Sequence, residues 1–579
     1  MPVHNEDIAV IFEEMADLLE IEDANPFRVR AYRNAARTVR GLGQELSKML
    51  AKGEDLTRLP GIGKDLAARI EEILATGHAK ALETLHKEVP ASLEALLRIP
   101  GLGPKRVKVL YEQSHIKTLK QLETAARRGR LQELPGFGAK SEQRILDTLG
   151  ARRSSEKRFL HSVARQYAEP LVAYLQAVSG VNQVFVAGSY RRGKETVGDL
   201  DILVTAAANS PVMERFIQYD EVEDVVSKGT TRASVFLHSG LQVDLRVVET
   251  KSFGAALHYF TGSKAHNIQI RRLGQQRGLK INEYGVFKLN DAGEKRVNGA
   301  TEESVFKSVG LPFIPPELRH GRGEIEAAQE NRLPKLITLN DLQGDLHMHT
   351  RATDGHASSE QMALAAKQHG LKYIAITDHS RHLTVVHGLD EKRLAKQMDE
   401  IDGLNERLEG ISILKGIEVD ILENGCLDLP DSILSRLDLV IAAVHGKFRL
   451  SRSKQTARIL RAIDSKYLTL LAHPSARLLE EREPIDVDMP RIIKAAQERG
   501  CYLELNSQPQ RLDLTDTYCQ LAKEQGVLIS INSDGHTANG FDLLNGGINQ
   551  ARRGWLEKKD VLNTRSLGDL RKMLKATMG

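Results

Sequence analysis

Two acidic residues separated by one position, Asp199 and Asp201, follow a glycine-rich turn and are candidates to hold metal ions. The turn reads Gly188-Ser-Tyr-Arg-Arg-Gly193 and presents backbone amides next to hydroxyl and guanidinium groups. Because residues i and i+2 of a strand point to one face, both carboxylates should converge. Asp244 lies among apolar residues of another predicted strand, where a lone carboxylate is costly. Together the three acids predict an oxygen site for paired Mg²⁺, which could assist nucleotidyl transfer.

A second set of candidate metal ligands is spread over the C-terminal part of the chain. It starts with Asp345-Leu-His347-Met-His349, whose imidazoles share one face of a predicted strand. Most of the others follow directly after apolar strand-like runs, at the edge where βα barrels keep their active sites. Imidazoles mixed with carboxylates suit Zn²⁺, Mn²⁺ or Fe²⁺, and so large a set predicts two or three ions. The candidates are His347, His349, Asp354, His379, Glu418, His445, His473, Asp534 and His536.

Three similar glycine-containing segments lie in the first quarter of the chain: Leu59-Pro-Gly-Ile-Gly-Lys64, Ile99-Pro-Gly-Leu-Gly-Pro104 and Leu134-Pro-Gly-Phe-Gly-Ala139. Each leads into a helical pattern rich in Lys and Arg. A glycine turn before a helix exposes backbone N–H groups, which can bind phosphate. One copy is often only a tight connection, whereas three copies favour binding of the DNA backbone. The candidate DNA-binding glycines are Gly61, Gly63, Gly101, Gly103, Gly136 and Gly138.

The elements that position these residues follow from the apolar pattern. Apolar residues recur at helical spacing near the N-terminus, so residues 1–58 are predicted to be helical. Short β-branched runs predict strands at 181–187, 201–205, 235–237 and 243–248. Further along, apolar runs alternate with amphipathic helices, as in a parallel sheet or barrel. The runs are 373–377, 412–415, 437–444, 468–472, 502–505 and 527–532.

Composition excludes several classes of protein. The chain has 579 residues, of which 41% are hydrophobic and 27% charged, which predicts several globular domains rather than a disordered or coiled-coil protein. Three cysteines argue against a disulfide scaffold and favour a reducing, intracellular location. No signal peptide is expected, because the first residues carry acids where a signal peptide needs a basic region and an apolar run. No membrane span is expected, since no apolar run approaches about 18 residues. The net charge of +4 is uninformative, but Lys and Arg are concentrated at 126–165.

The palm-like motifs resemble the X family of DNA polymerases over about residues 5–320. The resemblance rests on Gly188-Ser189, Asp199-x-Asp201, Asp244 and Tyr259-Phe-Thr-Gly-Ser263, with the glycine segments resembling helix-hairpin-helix motifs. It implies that the three acids hold two catalytic Mg²⁺ ions. It also implies nucleotide-binding roles and one template contact. The nucleotide-binding residues would be Gly188, Ser189, Arg192, Arg158, Tyr259, Phe260, Gly262 and Asn267, and the template contact would be Arg271.

Three positions depart from the pattern of that family. Lys264 replaces an acid that faces the base, and Gln242 replaces an arginine beside the third carboxylate. Arg69 occupies the position of the lysine that forms a Schiff base in sugar-phosphate lyases. Because an arginine does not deprotonate to become that nucleophile, lyase activity by this route is not predicted.

The C-terminal ligand set resembles the polymerase-and-histidinol-phosphatase (PHP) family of metal-dependent phosphoesterases. All nine ligand positions of that family are filled, which implies an active site with two or three metal ions and activity best supported by Mn²⁺. Asn506, Arg511 and Asp513 match a segment on the substrate side. The resemblance therefore implies that the barrel cleaves phosphodiesters, removing 3′ nucleotides or cutting at abasic sites.

The predicted organisation is multidomain. We expect a helical DNA-binding domain (1–82), a fingers-like helical domain with two hairpin motifs (83–150), an α+β nucleotidyltransferase palm (151–250), a thumb (251–318), a proline-marked linker (319–340) and a barrel-like PHP domain (341–579). A chain cut near residue 320 should then keep the polymerase part intact.

The predicted function is that of a bacterial family X DNA polymerase. It would fill short gaps in DNA repair, using gapped or primed DNA and dNTPs in the cytoplasm near the nucleoid. No feature of the sequence fixes the oligomeric state, and a monomer is the default expectation. Three alternatives remain: a nucleotidyltransferase for RNA or a small molecule, a small-molecule phosphatase fused to the palm, and a non-catalytic DNA-binding scaffold.

Overall fold

The computed structural model describes residues 3–22, 24–40, 42, 45–89, 93–97, 99, 102–138, 141–143, 145–146, 158–290 and 293–578. The chain divides into two compact units, Met1–Lys157 and Arg158–Gly579. The predicted multidomain fold class is confirmed, with a helical N-terminal part, an α+β palm and thumb, and a parallel barrel-like sheet at the C-terminal end. Of the predicted DNA-binding glycines, Gly101 lies outside the described residues.

The first unit is helical. Its core is formed by apolar residues at helical spacing, such as Ile8, Phe12 and Met15, and the ring of Phe12 packs edge-on against that of Tyr32 at 5.7 Å. The helices are α1 (Asn5–Ile21), α2 (Pro26–Arg40), α3 (Leu46–Ala51), α4 (Lys64–Thr76), α5 (Lys80–Glu88), α6 (Glu94–Leu97), α7 (Pro104–Ser114) and α8 (Leu119–Arg127).

The second unit starts with the palm, a five-stranded sheet of order β2-β4-β7-β6-β5. Strands β4 and β7 run parallel and the other pairs are antiparallel. Helix α9 (His161–Gln176) buries its apolar side in the core of the sheet. The strands are β1 (Phe159–Leu160), β2 (Val181–Val186), β3 (Thr196–Val197), β4 (Asp199–Ala206), β5 (Val222–Lys228), β6 (Arg232–Leu237) and β7 (Gln242–Val247). The short helices are α10 (Gly188–Arg191) and α11 (Val212–Ile217).

The thumb combines helices with a small antiparallel sheet of order β10-β9-β8. Its core includes Ile270, Ile281 and Phe306, all buried. The elements are α12 (Phe253–Thr261), α13 (Lys264–Gln276), β8 (Leu279–Asn282), β9 (Gly285–Asn290), β10 (Gly293–Asn298) and α14 (Glu302–Ser308).

The C-terminal sheet has seven parallel strands in sequence order and is nearly closed, because a parallel bridge joins Met348 beyond the first strand to Gly535 beyond the last. The strands are β11 (Gly344–Asp345), β12 (Tyr373–Ile376), β13 (Ser412–Asp420), β14 (Leu439–Ala443), β15 (Leu470–Leu471), β16 (Tyr502–Asn506) and β17 (Ile529–Asn532). The helices are α16 (Ser359–Gln368), α17 (Glu391–Arg407), α18 (Asp431–Leu434), α19 (Arg452–Ile463), α20 (Met489–Arg499), α21 (Asp516–Glu524), α22 (Leu544–Arg553) and α23 (Leu567–Thr577), while α15 (Glu324–Gln329) precedes the sheet. No described helix is both long and apolar enough to span a bilayer.

The segment predicted as a linker, 319–340, is folded and packed. Arg319 is fully buried and its Nη1 lies 2.6 Å from Glu302 Oε1 of the thumb. Arg322 Nη2 lies 3.2 Å from Asp516 Oδ2 of the barrel. The segment therefore joins the thumb to the barrel through ion pairs and is not an extended tether.

Candidate active sites

The palm brings its three predicted carboxylates together. Asp199 and Asp201 lie on β4, and Asp244 lies on the neighbouring β7, directly beside Asp201 in the parallel register. Each of the three offers an oxygen within 4.8 Å of the other two. A strand pair with acids on the same face produces this cluster without any contribution from distant loops.

The environment of the cluster makes its charge costly without cations. Burial, together with the charges of Asp199 and Asp244, raises the pKa of Asp201 to about 7. Asp244 has two polar neighbours: Ser234 Oγ donates a hydrogen bond to its Oδ1, and Gln242 Nε2 lies 3.3 Å from its Oδ2. Three acids concentrated in this way are the hard oxygen ligands that Mg²⁺ prefers, so the cluster fits divalent ions.

The glycine-rich turn packs directly against the acids. Ala187 N donates to Asp201 O at 2.7 Å, which ties the turn to β4. Gly188 has a φ of +65°, and a Cβ there would lie 2.7 Å from Asp201 Oδ2. Arg192 donates to Thr261 O and its Nε is buried without a hydrogen bond to any described residue, while burial lowers its pKa to about 10. A buried guanidinium with a free N–H beside a metal site is suited to a phosphate group.

Replacing Gly188 by alanine should disable the palm. The new Cβ would collide with the Asp201 carboxylate, and the positive φ adds backbone strain. We expect primer extension to fall by about 100-fold or more, as for removal of one strong electrostatic interaction. Gly180→Ala is the matched control, since Gly180 has a φ of +78° and a Cβ there would lie 3.2 Å from Ser210 Cβ, away from the acids. Steady-state extension of a primed template measures both, and equal loss in the two variants would contradict the placement.

The other predicted nucleotide-binding residues lie at the start of the thumb. Asn267 Nδ2 donates to Tyr259 O at 2.7 Å, and Gly262 leaves space for Arg192, whose Nη1 would be 3.2 Å from a Cβ there. Phe260 lies under the guanidinium of Arg246 at 4.3 Å. Thr261 and Gly262 therefore lie beside Arg192, while Asn267 is tied to Tyr259 and Phe260 lies beside Arg246.

Three further predicted positions lie at the surface. Arg271 and Lys264 are exposed on α13. Arg158 is also exposed, and its guanidinium donates to Oγ1 and O of Thr196 at 2.9 and 2.7 Å. The structure thus places Arg158 beside the strand that leads into the acids rather than against the turn.

The described hairpin glycines are exposed, whereas the apolar residues that follow the first glycine of each motif are buried. Gly63 and Gly103 precede α4 and α7 with φ of −76° and −72°, and a Cβ at either would meet no atom within 4 Å. Gly138 is equally open, whereas Gly61 and Gly136 have positive φ that their turns require. Since neither conformation nor packing demands a glycine at 63 and 103, the free space favours close approach of a ligand backbone.

The barrel gathers all nine predicted ligands at one end of the sheet. They form three overlapping groups, within each of which one ligand atom per residue lies within 4.8 Å of the others. The groups are His349, Asp354, His379 and His536; His347, His349 and Asp534; and His379, Glu418 and His445. The ninth, His473, places Nε2 at 3.0 Å from Glu418 Oε1.

Glu418 lies at the centre of the barrel cluster. Strand β13 extends to Asp420, five residues beyond the predicted end, so Glu418 lies within the strand rather than after it. Its carboxylate is within 4 Å of five imidazoles. Burial opposes protonation of His379, but the charge of Glu418 outweighs it and raises the pKa of His379 to about 10. Burial lowers the pKa of His473 to about 4.

Several of these atoms lack a well-oriented hydrogen bond, which suits them to metal ions. Glu418 Oε2, His349 Nδ1 and His379 Nδ1 are buried and have no well-oriented hydrogen bond to a described residue. Buried polar atoms are almost always hydrogen-bonded, so such a cluster needs a compensating group. Overlapping sets of imidazole and carboxylate donors fit two or three transition-metal ions.

Sequence reasoning missed two acids that orient the ligands. Glu504 on β16 accepts a hydrogen bond from His347 Nδ1 at 2.7 Å and from the His473 amide at 2.8 Å. Asp420 Oδ1 lies 3.1 Å from His445 Nδ1. Carboxylates that bind the second nitrogen of a ligand histidine fix its orientation and raise its basicity. The only signals were a single acid in the apolar run of β16 and a second acid two residues after Glu418 in β13.

The predicted substrate-side residues also lie at the barrel cluster. Asn506 Nδ2 donates to Asp534 Oδ2 at 2.9 Å, and Arg511 Nε is 3.6 Å from the same oxygen. Asp513 accepts from the Ser475 amide at 2.9 Å and bonds through its carbonyl to the amide of Asn506. The segment 511–513 is therefore held against the ligand Asp534.

The palm and the barrel share a buried junction. Glu195, which follows the glycine-rich turn, lies 2.9 Å from Arg477 Nη2 and 2.7 Å from Gln550 Nε2 of the barrel. Arg477 also donates to the carbonyls of Arg511 and Leu512, next to the substrate-side segment. A chain cut near residue 320 would leave Glu195 without these partners, so the expectation of an undisturbed palm is revised.

Models of five known domain families match the chain. A helix-hairpin-helix domain matches residues 3–79 and a SAM-like helix-hairpin-helix tandem matches 93–151. The DNA polymerase beta palm matches 161–273, its thumb matches 256–320, and the PHP domain matches 345–534.

Curated proteins of similar sequence cover the whole chain or one of its halves. DNA polymerase/3′-5′ exonuclease PolX of Bacillus subtilis is 38% identical over 575 residues, which are 99% of this chain and 100% of that protein. DNA polymerase lambda of Rattus norvegicus is 28% identical over 47% of this chain and 49% of its own length. A probable phosphatase of Thermoanaerobacter is 32% identical over 40% of this chain and 94% of its own length.

Proposed function

Because the chain belongs to the family X DNA polymerases that carry a PHP domain, we propose that its palm fills short gaps in DNA and that its barrel removes nucleotides from 3′ ends. The protein is a DNA-directed DNA polymerase with a second, phosphoester-cleaving site, and both sites depend on divalent metal ions. The observation that carries the assignment is the presence of a three-carboxylate cluster and a nine-residue cluster of candidate ligands in one chain.

In the palm, Asp199, Asp201 and Asp244 are proposed to hold two Mg²⁺ ions. When bound, such ions lower the barrier for attack of a primer hydroxyl on the α-phosphorus and balance the charge of the departing pyrophosphate. The residues of the turn would bind the triphosphate through Ser189, Arg192 and the backbone. Tyr259 and Phe260, which come directly before the Arg192 partner Thr261 in the chain, would enclose the sugar of the incoming dNTP.

In the barrel, the nine ligands are proposed to hold two or three ions, with Mn²⁺ supporting activity best. These ions would polarise the phosphodiester and supply the nucleophile at neutral pH. Glu504 and Asp420 hold the imidazoles in the required orientation. Arg511, close to Asp534, is positioned to bind a phosphate oxygen. We also propose a monomer located in the bacterial cytoplasm, where chromosomal DNA is the substrate.

One assay separates the proposed function from its alternatives. The full chain is incubated with gapped DNA, dNTPs and either Mg²⁺ or Mn²⁺, and products are resolved by length. Extension to the end of the gap together with shortening of 3′ ends supports the proposal. Transfer to RNA only, hydrolysis of phosphomonoesters only, or binding without turnover would instead support the nucleotidyltransferase, phosphatase or scaffold alternative.

The hairpin motifs should bind DNA through phosphates and without sequence preference. Substituting Gly63 and Gly103 by valine would place side chains where a phosphate approaches, without clashing inside the protein. We expect the double variant to bind duplexes of unrelated sequence more weakly, and to the same extent. The slope of log affinity against log salt concentration should flatten by about 0.9 for each phosphate that the variant no longer binds.

Fluorescence anisotropy with two gapped duplexes of unrelated sequence measures this effect. Gly568→Val is the matched control, because Gly568 is also exposed with open space around its Cβ. A loss confined to one DNA sequence, or an unchanged salt slope in the double variant, would contradict phosphate binding by these turns.

A further inference from the structure

The chain that follows the metal-ligand candidate His445 is strongly basic. Residues 446–463 contain six Lys or Arg and no Asp or Glu. The first four cations lie in residues 447–454, here called the basic loop, whose last three residues form the first turn of α19, and all four are exposed. The six are Lys447, Arg449, Arg452, Lys454, Arg458 and Arg461.

The basic loop is held in place by buried polar side chains of α19. Gln455, which is fully buried, donates through Nε2 to Lys447 O at 2.8 Å. Arg458, also buried, donates through Nη1 to Gly446 O at 2.9 Å and through Nε to Leu422 O at 2.8 Å. The backbone of the loop is thus fixed at its start, and a binding surface that is already ordered loses less entropy when a ligand binds.

The position of the loop connects it to the barrel cluster. His445 lies at the carboxyl end of β14 with Nε2 at 3.3 Å from Glu418 Oε1, and the loop begins two residues later. Arg449 is four residues from His445, so its Cα lies within about 14 Å of that ligand. The first cations therefore border the site where a phosphodiester would be cut.

The charges of the loop are mostly uncompensated. Arg449, Arg452 and Lys454 form no ion pair with any residue that the structure describes, and Lys447 lies 3.5 Å from Glu423 at the surface. The neighbouring cluster contains three ligand carboxylates, which would repel a polyanion approaching alone. A row of exposed cations beside such a site attracts a phosphate chain and raises its local concentration.

We propose that the basic loop binds the phosphate backbone of the DNA strand whose 3′ end enters the barrel site. This inference rests on the proposed function of the barrel as a nuclease. One guanidinium group can donate two hydrogen bonds to the oxygens of one phosphate, so Arg449 and Arg452 would bind successive phosphates. Contacts of this type carry no information about the bases, and cleavage would be independent of sequence.

The test compares a long and a short substrate. The full-length Arg449→Gln/Arg452→Gln/Lys454→Gln variant is assayed with Mn²⁺ on a single-stranded oligonucleotide and on bis(4-nitrophenyl) phosphate, a diester with no neighbouring phosphates. Removing three phosphate-binding cations should flatten the slope of log kcat/KM against log salt concentration for the oligonucleotide by about 2. At about 0.1 M salt this corresponds to about 100-fold lower kcat/KM, mainly because KM rises. The ratio of oligonucleotide to small-diester hydrolysis should fall by the same factor.

A matched variant removes the same charge from the opposite end of the barrel. Arg571, Lys572 and Lys575 are exposed on α23, whose Met573 carbonyl accepts from the Tyr502 hydroxyl at the start of β16. Their triple substitution by glutamine should change the ratio by no more than about twofold.

Three results would overturn the inference. They are an unchanged ratio and salt slope in the loop variant, an equal fall for both substrates, or an equal effect of the α23 variant. If the wild-type protein cleaves the small diester but not the oligonucleotide, the nuclease function fails as well, so failure of the loop and failure of the function are distinguishable.

Discussion

Primer extension should disappear when Asp199 and Asp201 are both replaced by alanine. The two side chains share the face of β4 that meets Asp244 on β7, and they provide most of the oxygen ligands of the cluster. Without them the palm cannot hold its metal ions, and loss of that electrostatic stabilisation should lower the rate of extension by at least about 10³-fold. Single-turnover extension of a gapped substrate with Mg²⁺ measures the effect.

DNA binding should survive the same change, because the hairpin motifs belong to a separate unit of the chain. The double variant Glu223→Ala/Asp224→Ala is the matched control, since it removes two exposed acids from β5 of the same sheet. Extension at near wild-type rate by Asp199→Ala/Asp201→Ala would show that the palm assignment is wrong.

Phosphoester cleavage should disappear when His347 and His349 are replaced by alanine. These imidazoles are fully buried, lie 3.2 Å apart, and belong to two of the three ligand groups. Their removal should reduce Mn²⁺-dependent shortening of a 3′ end by at least about 10³-fold, as for loss of a catalytic metal. Primer extension with Mg²⁺ should remain within a few-fold of wild type, because the palm acids are not ligands of the barrel cluster.

Loss of ligands can also unfold a barrel, so metal content and a melting curve accompany this assay. His369→Ala is the control, since His369 lies at the exposed end of α16 and its only acidic partner is Asp542 among the described residues. Cleavage retained by a folded His347→Ala/His349→Ala protein, or lost instead in Asp199→Ala, would refute the separation of the two sites.

Much of the fold was accessible from the sequence because the apolar runs are long and regular. The predicted barrel runs each correspond to one of β12–β17, and the strand that carries the palm acids was placed to within two residues. The thumb strands β8–β10 were not predicted, since residues 279–298 are mostly polar and about half of the described ones are exposed. An antiparallel sheet with little buried surface leaves no strong alternation to detect.

The candidate sites were accessible because their residue types recur at fixed positions relative to strands. All nine barrel ligands and all three palm acids converge, although their roles rest on the proposed function. Glu504 could not be assigned from sequence, because one acid in an apolar strand has no visible partner until His347 is placed opposite it. The junction at Glu195 was equally hidden, since Arg477 is 282 residues away in the chain.

That junction has a thermodynamic consequence. Because Glu195, Arg477 and Gln550 bond across the boundary, Arg158–Gly579 should unfold in one cooperative transition rather than as two independent domains. Any ligand that binds only the folded barrel then also stabilises the palm by mass action. At a ligand concentration 100 times its Kd, the free energy of unfolding rises by about 2.7 kcal/mol. Mn²⁺ added to protein in which the palm is blocked by Asp199→Ala/Asp201→Ala should raise the melting temperature of the whole unit and slow proteolysis of the palm. Glu195→Ala should weaken this coupling, so that Mn²⁺ protects the palm less. The barrel would then protect the polymerase against heat and proteases, independently of its own chemistry.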